Sequence, residues 1–146
     1  MFTTSNRDTT REVFFHAWAK HRGGEPLEGM ERMLVQVALA HPEYHAMLDD
    51  RDAHLDRDYS PAVGETNPFL HMGLHIAIEE QLTLGEPAGI REAFQRLRVQ
   101  MPDEHEVQHR IMECLAESIY QMQRQRRDFD AAAYIECLKR HGAARR

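Results

Sequence analysis

The sequence predicts an all-α protein, an antiparallel bundle of about five to six helices. Three observations predict it. Apolar residues recur at helical spacing in one segment after another. Residues that start and stop helices bracket those segments. No run alternates between apolar and polar residues as a half-buried strand requires. The chain has 146 residues, 42% of them apolar and 29% charged, which suits an ordinary globular protein with a core of its own. Without repeats or low-complexity stretches, it reads as one metal-binding domain over 1–146, with a basic tail at 141–146.

A first helix is expected from about Thr9 to Arg22, with Phe14, Ala17 and Trp18 on one face and Gly23–Gly24 ending it. A second, from about Leu27 to Ala40, carries Met30, Met33, Leu34 and Val37 as its apolar stripe. Pro42 has no amide proton to continue that helix, so a short helix restarts there and runs to about Leu48. Residues 49–66 are acidic and irregular, long enough for a connection that acts as a lid. Asn67 then caps a helix whose first residue is Pro68 and which runs to about Leu84. Further helices are expected over Ile90–Gln100, from Pro102 to about Arg127, and from a cap at Asp130 to Arg140.

Charge and cysteine usage narrow the function. A net charge of −6 disfavours nucleic acid, which demands a basic surface. No stretch approaches the roughly 18 apolar residues of a membrane span, and the amino terminus lacks a secretory pattern, so a cytoplasmic location is the default. Cys114 and Cys137 form no CxxC pattern and are expected as buried, reduced thiols ahead of a disulfide or a ligand role. No nucleophile stands beside a recognisable base and no phosphate loop is present.

Histidine carries the chemistry. Of ten histidines, six fall in pairs four residues apart: His41 and His45, His71 and His75, His105 and His109. Random placement gives fewer than one such pair. Two pairs extend by a carboxylate at the same step, giving His71-x3-His75-x3-Glu79 and His105-x3-His109-x3-Glu113. Four residues turn a helix by about 40° and raise it about 6 Å, so each trio forms a stripe on one face. Histidines at that spacing can chelate one ion.

Burial is the second argument. Between Pro68 and Ile78 only His71 and His75 can carry a full charge, as expected of a core helix. His41 shares a face with Met30, Leu34 and Val37. On the helix from Pro102, the charged Glu106, Arg110, Glu117 and Arg124 gather on one arc and leave His105, His109 and Ala116 inside. A ferritin-like Glu106-x-x-His109 is therefore weak, its glutamate facing outward. Buried Glu79 and Glu113 cost several kcal/mol unless paired, and no Arg or Lys shares their stripes. A divalent cation compensates both and accepts neutral imidazoles. Each trio spans about 12 Å, too long for one ion, so the sharp expectation is a dimetal centre bridged by the two glutamates. In a mononuclear site, His75, His109 and one or both glutamates are the expected set. Iron is the first choice, by analogy with the histidine-rich balance of haemerythrin; zinc, manganese and nickel also suit the donors. Oxygen, another small molecule or a redox partner follows as the expected partner. The competing readings are a metal-binding or sensing protein without turnover, and a metal-free helical interaction module.

The strings FFHAWAKHRGGEPL, AHPEYHAML, DRDY, GETNPFLHMGLHIAIEEQL, PAGIR and HRIMECLAE together resemble DUF1841, a bacterial family of unknown function. The resemblance runs from Phe14 to about Leu138 and is most specific in GETNPFLH. It implies no activity.

Overall fold

A computed structural model describes the backbone of residues 4–59 and 67–144 and the side chains of 9–59 and 67–142. Among the described residues there are eight α-helices, one short 3₁₀ turn and no strand. The helices are α1 (Thr4–Arg22), α2 (Met30–Leu39), α3 (His45–Leu48), α4 (Arg51–His54), α5 (Pro68–Leu84), α6 (Ile90–Gln100), α7 (Glu104–Gln125) and α8 (Ala131–Ala144). The all-α expectation is met. The count exceeds five to six by two four-residue helices, α3 after the 3₁₀ turn that Pro42 opens and α4 at 51–54 within the stretch expected to be irregular. The rest of that stretch, from residue 60 to 66, lies outside the described residues.

The chain divides into two compact units, Met1–Ile76 and Ala77–Arg146. In the first, α1 packs on α2 and α3. Its core holds Phe14, Phe15, Ala17 and Trp18 from α1, Leu34, Val35, Val37 and Ala38 from α2, Met47 and Leu48 from α3, and Phe69, Met72 and Ile76. Burying each large apolar side chain contributes about 1.5–3 kcal/mol, so this cluster is the unit's main source of stability.

Polar groups fix its edges. Arg11 is 3% exposed, and its guanidinium donates to the carbonyls of Leu55 at 2.9 Å and Arg57 at 2.7 Å while lying 4.8 Å from the Phe69 ring centre. The Trp18 indole donates to Asp49 Oδ1 at 2.7 Å, and Arg22 grips the same carboxylate through Nε and Nη2 at 3.0 and 2.8 Å. Asn67 caps α5 as expected, its Oδ1 accepting from the backbone amides of Phe69 and Leu70.

In the second unit α6, α7 and α8 pack against one another around Ile90, Ala93, Leu97, Ile111, Leu115, Tyr134 and Leu138. Gly89 opens α6 at φ 94°, where a Cβ would also meet Ile135 at 3.3 Å. Asp103 caps α7 by accepting from the amide of His105, and Asp130 accepts from the amide of Ala133 at the start of α8. The buried Tyr134 hydroxyl donates to Gln81 at 2.6 Å, and burial pushes its pKa well up.

A disulfide joins Cys114 of α7 to Cys137 of α8. The expectation of reduced thiols is corrected. Sequence spacing hid the pairing, because only the packing of the two helices brings these Cα atoms within 5.8 Å.

Candidate metal centre

Three histidines gather in the first unit. His41 follows the end of α2, where the chain breaks before Pro42; His71 and His75 lie one turn apart on α5. The ring centres of His41 and His71 are 4.9 Å apart, those of His41 and His75 4.7 Å, and those of His71 and His75 4.9 Å. His41 and His75 are each 2% exposed, and His71 is half-buried.

The His41 tautomer follows from its neighbours. Its Nδ1 lies 2.8 Å from the Val37 carbonyl, an atom that only accepts, so Nδ1 carries the proton and donates. In the neutral ring Nε2 then holds the lone pair, and it lies 3.1 Å from Nε2 of His71. Two imidazoles bound at about 2.0–2.1 Å to one ion place their nitrogens about 2.9–3.4 Å apart, for octahedral to tetrahedral angles. The observed spacing falls inside that interval. A ring held through its second nitrogen by a backbone carbonyl is also the usual support of a metal-ligating histidine. Tyr44 stacks on the other face of His41 at 5.3 Å between ring centres, and burial raises the pKa of its phenol.

His45, the partner of His41 in sequence, has a different role. Its Nε2 donates to the Ala38 carbonyl at 2.8 Å and its ring lies against Trp18, 4.7 Å between centres. Local geometry explains the divergence: His41 precedes the break at Pro42 and His45 follows it, so no continuous helix holds the two on one face.

In the second unit, His105 and His109 stand one turn apart on α7, ring centres 4.2 Å apart, both half-buried. The glutamates depart from the sequence expectation. The Glu113 side chain is 61% exposed and lies 3.8 Å from Arg110, so it is neither buried nor without a cationic neighbour. Ala116, expected inside, is exposed, because the buried face of α7 centres on Val107, Gln108, Ile111, Cys114 and Leu115. Glu79 is half-buried and accepts from Gln108 Nε2 at 2.5 Å. The sequence reading missed Gln108, 6% exposed, although it sits in the apolar register with Ile111 and Leu115. Nor is α5 enclosed all round, since Leu70 is 61% exposed.

Histidine groups of this kind can hold a metal ion. The sequence model of the family described as "Domain of unknown function (DUF1841)" matches residues 6–140. The chain belongs to the DUF1841 family. The match covers every element that carries the histidines, so the imidazole cluster lies within the DUF1841 segment. No curated protein and no solved structure matches this DUF1841 chain. No helix among its described residues is long and apolar enough to cross a membrane.

Proposed function

We propose that this chain is a histidine-held, non-haem metal protein whose first unit holds one divalent transition ion on His41, His71 and His75. The observation that carries the proposal is the His41 ring, fixed through Nδ1 on Val37 with Nε2 turned to His71 at 3.1 Å. The trio gains support from its ring centres, which lie 4.7–4.9 Å from one another.

One ion fits better than two. A dimetal centre needs bridging carboxylates, and Glu113 is turned to solvent beside Arg110 while Glu79 is engaged by Gln108. The finer reading is redox or oxygen chemistry at iron. Three imidazoles leave three positions of an octahedral ion for water, oxygen or another small molecule, and a bound iron ion would supply one-electron chemistry there. The protein's part is to fix ring orientation through Val37 and to cover the His41 ring with Tyr44.

Anaerobic loading with ferrous iron, followed by admission of air, tests both levels. A stoichiometric complex whose visible absorption changes with oxygen supports the full reading. Binding without any oxygen response leaves a metal-binding protein without turnover and removes the oxygen chemistry. No binding of iron, zinc, manganese or nickel removes the metal site itself.

A further inference from the structure

A second group of ligand atoms lies in the other unit, away from the imidazole cluster in sequence and chemically distinct from it. Cys114 of α7 and Cys137 and His141 of α8 each offer one atom, and these three atoms lie within 4.8 Å of one another. Cys137 and His141 are one helical turn apart, the spacing at which neighbouring side chains chelate one ion. A cavity of about 140 Å³ opens beside the two sulfurs, lined by both cysteines, Ser118 and side chains of both charges. Cys114 is 1% exposed, whereas Cys137 is half-exposed.

A disulfide that served only as a staple would call for no neighbouring imidazole. We propose that Cys114, Cys137 and His141 form a redox-gated zinc site: closed to metal while the disulfide stands, and a two-thiolate, one-imidazole site once it is reduced. That donor set is a known zinc arrangement, with a water molecule as fourth ligand, which the cavity has room to hold.

The steps balance with a dithiol as reductant. A thiolate of the reductant bonds to the sulfur of Cys137, the more accessible of the two, and the Cys114–Cys137 bond breaks with Cys114 leaving as thiolate. The reductant's second thiol then attacks the mixed disulfide and releases Cys137, so the reductant departs as its own disulfide and two electrons have passed to the protein. A zinc ion binds the two sulfurs and His141, and the two thiol protons go to solvent. With bonds of about 2.3 Å to the ion, the two sulfurs come to rest about 3.8 Å apart, a separation reached by side-chain rotation without moving α7 from α8.

The test uses the whole chain, reduced anaerobically with a phosphine, desalted and titrated with cobalt(II) as the optical probe for zinc. The reduced protein is expected to bind one cobalt ion with a thiolate-to-metal charge-transfer band in the near ultraviolet, and the oxidised protein to show no such band. His141→Ala, which leaves the disulfide intact, weakens that binding by more than about tenfold, since loss of even an outer-shell partner has that effect. A His41→Ala, His75→Ala double variant keeps the band, which separates this site from the imidazole site. A reduced protein that retains its helicity but shows no band overturns the proposal, as does unchanged affinity in His141→Ala. Loss of helicity on reduction that cobalt does not restore overturns it equally.

Discussion

His41 Nε2 and His71 Nε2 stand 3.1 Å apart, with the His41 ring pinned from behind by the Val37 carbonyl. Without a cation the His71 Nε2 donates its proton to the His41 lone pair. With one, the His71 ring takes the other tautomer, its proton on Nδ1, and both Nε2 lone pairs turn to the ion. A single side-chain arrangement serves both states, so binding reorganises little, and preorganised donors bind metal tightly. His41→Ala is expected to lower metal affinity by more than about a hundredfold, read by competition with a chelator, because it removes a ligand and not merely its support.

His45 provides the matching control. Its Nε2 is engaged by the Ala38 carbonyl and its ring rests on Trp18. His45→Ala should leave the metal stoichiometry unchanged while costing about 1–2 kcal/mol of stability, the value of one hydrogen bond and an aromatic contact. Denaturant unfolding and elemental analysis together check both halves.

Arg11 is the polar residue on which the first unit's fold depends most. It bonds the carbonyls of Leu55 and Arg57 and lies over Phe69. Arg11→Met keeps the apolar stem and orphans those carbonyls. Charge-assisted bonds are worth about 1.5–3 kcal/mol each, so a loss of about 3 kcal/mol is expected in urea unfolding.

Acid acts through Asp49. Its hydrogen bond from the Arg22 guanidinium, aided by the Trp18 indole, holds the carboxyl below its ordinary value of 3.8. Because the folded-state value is the depressed one, the stabilisation is complete above the unfolded value and is lost as pH falls through the folded one. Stability measured from pH 5 down to pH 2 should therefore decline, and Asp49→Asn should flatten part of that decline while lowering stability at pH 7.

Gly89→Ala should destabilise the second unit by about 1–3 kcal/mol in thermal unfolding, since it places a Cβ at positive φ and against Ile135.

Much of this was legible from residues alone. Asn67–Pro68 and Asp130 announced the starts of α5 and α8, and apolar spacing placed the longer helices. Spacing also singled out His41, His71 and His75. What it could not supply is rotation about the helix axis to within a few tens of degrees. Glu113 shares the stripe of His105 and His109, yet the buried face of α7 lies far enough round to turn that carboxylate outward. His45 diverged because Pro42 broke the helix that would have carried it. Gln108 was passed over because a neutral amide in an apolar register gives no charge signal. Cys114 and Cys137 sit 23 residues apart on different helices, so only tertiary packing could pair them.

The most direct test is elemental analysis of the untagged protein as isolated, beside a His41→Ala, His75→Ala double variant of matching helicity. One equivalent of a transition metal in the native chain and none in the variant is the expected result. A native chain that holds no metal and takes up none on titration, at full helicity, would contradict it.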